Sequence, residues 1–150
     1  PQDVASNCGE NARTIGLGEI TIGTTVESLN DHAGSCGGSL SSEDIWVLTL
    51  TEQTDVRVST EGSGFDTVLY GRSDCDQVAS EITCNDDGGE SNASAVIQMD
   101  AIGPGTYYLF VDGFGGESGD YVLTIQDVGV PPFLPAEDAG GDSSDLILGE

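Results

Sequence analysis

Residues Gly105 to Gln126, GTYYLFVDGFGGESGDYVLTIQ, hold two apolar runs joined by a glycine-rich acidic loop. The runs, Tyr107–Val111 and Tyr121–Ile125, alternate with period two, so each sends one row of side chains inward and one outward. Tyr121, Leu123 and Ile125 form one row; Val122, Thr124 and Gln126 form the other. The pattern predicts an antiparallel hairpin whose loop is too rich in glycine for a tight turn. Two strands alone bury too little to stand in water, so the upstream chain must supply the rest of a sheet.

Working outward, strands are expected over Glu19–Val26, Ile45–Leu50, Val56–Thr60, Thr67–Tyr70, Ile82–Cys84 and Ala95–Asp100. With the hairpin these make about eight strands, and turn signals every ~8–12 residues suit a two-layer sandwich. Pro1–Arg13 is polar and reads as a surface segment pinned by Cys8. Trp46 could offer a platform for stacking a sugar. It shares its row with Leu48 and Leu50, however, and an all-apolar row belongs in a core.

At 150 residues with 37% hydrophobic content, the chain suits one domain with a single core, and its 22 glycines favour many turns. No apolar run is long enough to span a membrane as a helix. No signal-peptide pattern opens the sequence, and a start at Pro1 without Met reads as processed. With 27 Asp and Glu against 3 Lys and Arg, the formal charge is −24. That surface repels nucleic acid and anionic lipid, and it suits cations, salt water or a basic partner.

Four cysteines, Cys8, Cys36, Cys75 and Cys84, allow three pairings. Pairing between sequence neighbours, Cys8 with Cys36 and Cys75 with Cys84, is the expectation, because Cys75 and Cys84 bracket a short loop. The absence of a CxxC and the presence of a single histidine argue against zinc. Two disulfides imply an oxidising compartment, hence a secreted or cell-surface protein.

Several stretches together carry a family resemblance: FDTVLYGRSDC (Phe65–Cys75), CNDDGG (Cys84–Gly89), GTYYLFVDGFGGESGDYVLTI (Gly105–Ile125) and SCGG with SEDIWVLTL (within Ser35–Leu50). In these the chain resembles the bacterial pre-peptidase C-terminal domain, over about Cys8 to Asp127. The resemblance implies an all-β, jelly-roll-like antiparallel sandwich attached to secreted enzymes or surface proteins and usually non-catalytic. Relatives in collagenases bind calcium and collagen. The family's acidic residue before the aromatic strand falls here on Asp44.

Topology alone gives the acidic residues a location. If successive strands reverse direction, loops alternate between the two ends of the sandwich. The entry at Asp44, the Glu61–Asp66 turn, the Asn85–Ser94 loop and the Gly113–Gly119 loop then share one pole. Asp44, Asp66, Asp86, Asp87, Glu90, Asp112 and Asp120 would lie near one another. Carboxylates ~4 Å apart repel by about 1 kcal/mol even in water, and a Ca²⁺ ion with oxygen ligands reverses that sign. Alternatively these Asp side chains cap turns through their own backbone amides. NDDGGES lacks EF-hand spacing, and GGESGDYV approaches a calcium repeat only once.

Catalytic constellations are weak. A Ser-His-Asp arrangement would need His32, which sits in a Gly/Ser/Cys loop without a GxSxG elbow and reads as a surface histidine. No apolar pocket that would raise one carboxyl of a pair is visible. Asn92-Ala-Ser94 fits the N-glycosylation pattern, with an unmodified Asn as the plainer reading.

The division expected is a sandwich over 1–127 and a Pro/Gly/Asp-rich tail over 128–150. By composition the tail is a linker. It also ends in Leu146-Ile147-Leu148, an apolar patch that a free tail would leave in water. Donating a strand to another copy's sheet edge would cover it, head to tail. The sequence therefore points to a non-catalytic structural or adhesive subunit of an extracellular assembly. The second reading is an accessory domain of a secreted hydrolase that recognises protein or polysaccharide.

Overall fold

The computed structural model describes residues 12–87 and 94–129. Within them nine strands form two stacked sheets. They are β1 (Arg13–Thr14), β2 (Ile20–Thr24), β3 (Asp44–Leu50), β4 (Thr54–Ser59), β5 (Thr67–Arg72), β6 (Glu81–Asn85), β7 (Val96–Ile102), β8 (Gly105–Gly113) and β9 (Asp120–Asp127). The first sheet has the order β1-β3-β8-β5-β6 and the second β2-β9-β4-β7. Every pairing is antiparallel except the two-residue contact of β1 with β3. The all-β sandwich expected from the pattern is the fold observed, with β1 added where only a surface segment was expected.

The hairpin is corrected. β8 pairs with β3 and β5, while β9 pairs with β2 and β4, so the two strands belong to different sheets. The glycine-rich loop between them crosses from one layer to the other. The reason lies in what each run must bury. Leu109 and Val111 of β8 meet Tyr121, Leu123 and Ile125 of β9 in one core cluster, together with Trp46, Leu48, Val56, Val58 and Ile97. Had β8 and β9 paired edge to edge, these rows would lie in one sheet and need a third layer to cover them. Each of these fully buried side chains contributes roughly 1.5–3 kcal/mol of transfer free energy.

Trp46 lies in that core, and its indole Nε1–H donates to the Tyr121 hydroxyl at 2.9 Å. The same hydroxyl donates to Asp44 Oδ2 at 2.6 Å and accepts from Arg13 at 3.2 Å. The Arg13 guanidinium rests 4.3 Å from the Trp46 ring centre and bridges to Asp44 at 2.8 Å. The first of the described strands is thereby tied to the last.

The first sheet is covered on its outer side too. Ile45, Phe110, Tyr70 and Cys84 stand in one row across β3, β8, β5 and β6. With Val68 and Cys75 they form a second, smaller core. Segments around 30–42 and 73–80 lie over it. The cover presses close at Gly34, where a Cβ would sit 2.6 Å from both Cys84 Sγ and Tyr70 Cδ1, and at Gly38, which lies against the Asp112 side chain. Cys36 and Cys84 are joined, with 5.8 Å between their Cα atoms, and Cys75 is disulfide-bonded as well. Pairing between sequence neighbours is thus overturned. Sequence proximity favoured Cys75 with Cys84, but folding the 30–42 loop across the outer face brings Cys36 onto Cys84 instead. Cys8 and the tail, with Leu146, Ile147 and Leu148, lie outside the described residues, as do Glu90 and Asn92.

Candidate functional site

Strand direction does gather loops as the alternation argument expected. The starts of β3, β5, β7 and β9 and the ends of β2, β4, β6 and β8 share one pole. Backbone bonds close it: Phe114 N–H donates to Asp66, Thr25 N–H to Gly119, and Gly64 N–H to Asp120.

The acidic residues at this pole divide into two groups. Asp44 and Asp112 are committed within the fold. Asp44 accepts from Arg13, Tyr121 and the Ser28 hydroxyl, the last at 2.6 Å. Asp112 is fully buried, accepting from the Tyr70 hydroxyl at 2.8 Å and from the Gly113 N–H at 2.9 Å. Asp66 faces the other way electrostatically. Partial burial raises its carboxyl above the ordinary range, and Glu117, Asp86 and Asp87 push it further by repulsion. Asp120 is exposed at the start of β9. Among the described residues no three His, Cys, Asp or Glu side chains are arranged to hold a metal ion. Asp44 and Asp112 have their oxygens occupied, and Asp66, Asp86, Asp87 and Glu117 form a patch of uncompensated like charge.

A buried polar cluster on the outer side of the first sheet was not foreseen. His32 is not a surface histidine: its Nδ1 lies 2.8 Å from Glu43 Oε2, and its ring centre is 5.2 Å from that of Phe110. Glu43 is buried, and it also accepts from the Asp31 N–H at 3.1 Å. Arg72 is buried with its guanidinium 4.7 Å from the Phe110 ring centre, donating to the carbonyls of Cys75 at 2.8 Å and Ala33 at 3.0 Å. Burial pushes the Asp112 carboxyl up to about 8 and nearby Glu43 adds to the rise, while the bonds from Tyr70 and Gly113 pull it down. Burial likewise drives the Tyr70 hydroxyl far above the usual tyrosine range, with the Asp112 charge assisting. The environment that the sequence did not reveal, one able to raise a carboxyl, thus exists around Asp112.

One signal in the sequence could have located this cluster. In YYLFVD both rows are apolar, Tyr107-Leu109-Val111 and Tyr108-Phe110, and a strand with two apolar rows is buried on both faces. Asp112 continues the second row, so it had to be a buried acid with a partner. Chemically the cluster holds loops down. His32–Glu43 clasps 30–42, Arg72 ties the segments at Ala33 and Cys75 to the sheet, and Asp112–Tyr70 joins β8 to β5.

The outer face of the second sheet is different. Ile20 and Ile22 are 69% and 75% exposed on β2, beside Thr124 and Val122 of β9. Arg57 of β4 bonds Gln126 across the same face at 3.2 Å.

Two antiparallel-rich sheets, one sealed beneath a disulfide-pinned cover and one open, define the class as a jelly-roll-like β-sandwich. The fold is shared with the crystal structure of the pre-peptidase C-terminal domain of collagenase from Bacillus anthracis. The TM-score is 0.53 at 18% identity, over 77% of this chain and 94% of that one. The chain also matches PliG, a periplasmic inhibitor of g-type lysozyme, from Aeromonas hydrophila. There the TM-score is 0.46 at 13% identity, over 77% and 96% of the two chains. No protein-family model and no curated protein matches the chain. The oxidised Cys36–Cys84 pair belongs to an extracellular or periplasmic compartment rather than a reducing cytosol.

Proposed function

We propose that this chain is a non-catalytic accessory β-sandwich that works outside the cytosol by surface contact, as a structural subunit of an extracellular assembly. The observation that carries this reading is the asymmetry of the two sheets. One outer face lies beneath loops, a disulfide and a buried polar cluster, with single apolar side chains such as Leu40 and Val78 exposed on the loops; the other carries Ile20 and Ile22 side by side in solvent on a strand. An isolated monomer gains nothing from two neighbouring exposed isoleucines, and a partner that covers them does. The groups able to do acid–base work, His32, Glu43 and Asp112, are tied into the cover and serve to hold it. In this reading Ca²⁺ acts at Asp66, Asp86 and Asp87, where a divalent cation would relieve the repulsion that adds to the effect of burial on Asp66.

The second reading, an accessory domain recognising protein or polysaccharide for a secreted hydrolase, draws support from sharing its fold with a collagenase domain. Sedimentation velocity over a range of protein concentrations, run beside co-pelleting with insoluble collagen, chitin and cellulose, separates them. Concentration-dependent growth in mass without pelleting supports assembly. Pelleting by a monomer that never grows overturns assembly in favour of the second reading.

A further inference from the structure

We propose that β2 is the acceptor edge for a strand donated by residues 144–150 of a second copy; this rests on the assembly reading and names its joint. β2 is the outermost strand of its sheet among the described residues, paired to β9 alone from Ile20↔Thr124 to Thr24↔Asp120. Antiparallel pairing on one side uses the N–H and C=O groups of alternate residues and leaves the other half of the strand's set facing outward. Natural edges are usually blunted by charge or proline. The other three edge strands carry charge: Arg13 in β1, Glu81 in β6 and Asp100 in β7. β2, with the sequence ITIGT, carries neither charge nor proline and exposes two isoleucines.

The chain itself supplies a match. After Gly129 its longest apolar run is Leu146-Ile147-Leu148. In a strand Leu146 and Leu148 share one face at a spacing of two residues, the spacing of Ile20 and Ile22. Pairing would lay the two leucines beside the two isoleucines and cover both pairs. Residues 130–145 separate this run from the end of the sandwich, a reach of at most about 50 Å. Pro131, Pro132 and Pro135 fix φ at three positions of that stretch, a composition that suits a stiff spacer rather than a tight turn. Donation from each copy to the next does not close on itself, so it builds an open filament.

Charge sets the conditions. Sandwich and tail are both acidic, so copies repel, and salt must screen that repulsion before the joint forms. The screening length falls from roughly 30 Å at ~0.01 M salt to about 3 Å at ~1 M. A basic partner on the same edge would show the reverse dependence and weaken with salt.

The test uses the full chain in sedimentation velocity at low and high NaCl, with hydrogen exchange read at the β2 amides. The expected result is mass that grows with salt and protein concentration, accompanied by slowed exchange at β2. A Leu146→Asp/Leu148→Asp double variant and, separately, Ile22→Asp should each abolish the growth while leaving the melting midpoint near wild type. Growth that survives both variants overturns the β2 joint and leaves assembly standing by another face. Protection of β2 in a monomer overturns it in favour of the chain's own tail, and a monomer with unprotected β2 under every condition overturns both readings.

Discussion

Replacing Asp112 by asparagine tests whether a protonated acid lies beneath the cover of the first sheet. The carboxyl is fully buried between Tyr70, Gly113 and the Gly38 backbone, with Glu43 near enough to oppose its ionisation. Its folded value, about 8, lies above the ordinary carboxylate value of 3.8. Between those values the folded chain holds a proton that the unfolded chain has released, so this group's contribution to stability falls as pH rises through the window. At about 1.4 kcal/mol per pH unit, the interval from pH ~4 to ~7 amounts to about 4 kcal/mol. The Asp112→Asn side chain keeps an oxygen to accept from the Gly113 N–H, turns the Tyr70 contact round so that its amide donates to the hydroxyl, and cannot ionise. Urea unfolding of both proteins across that interval should give wild-type stability declining relative to the variant by that amount, with the decline ending above pH ~8. Curves that stay parallel within ~1 kcal/mol would refute a buried neutral acid. If the variant does not fold, the carboxyl carbon of Asp112 followed by NMR in the native protein decides, and a midpoint below pH ~5 refutes it equally.

Other expectations follow from the same contacts. The Cys36–Cys84 bond spans a sequence separation of 48, for which loop-closure entropy gives about 4 kcal/mol; a Cys36→Ser/Cys84→Ser variant should lose that much in denaturant unfolding, and a loss under ~1 kcal/mol would mean the cover holds without it. Tyr121→Phe leaves the buried Trp46 Nε1–H without its acceptor and removes a donor to Asp44, so it should cost roughly 1–3 kcal/mol, with an unchanged melting midpoint as the contrary result. Millimolar Ca²⁺ should raise the melting midpoint through Asp66, Asp86 and Asp87; an equal gain from NaCl at matched ionic strength would reduce the effect to screening and remove the specific cation.

Strand faces that meet solvent or core in plain alternation were legible from the sequence. Tyr121-Leu123-Ile125 and Trp46-Leu48-Leu50 are inward rows, as the period-two pattern required. Strand reversal likewise brought Asp66, Asp86, Asp87 and Glu117 to one pole, because direction is a topological property that loops cannot alter. Partner choice was not legible in the same way. The sequential nearness of β8 and β9 suggested a hairpin, and only the need to face two apolar rows across a core separates them. The disulfide misreading has the same root, since a short loop looks like a closed one until another segment is laid across it. Arg72 and Glu43 were hidden because charge in a sequence reads as surface, and nothing in GRSDC or SSEDI announces the carbonyls and aromatic faces that receive them.

The crossing between β8 and β9 also dictates how the chain must fold. Apart from the two-residue contact of β1 with β3, the early strands pair late: β3 waits for β8 and β2 for β9, near the end of the sandwich. Such remote pairings place folding in the slow regime of milliseconds to seconds that β-sandwiches occupy.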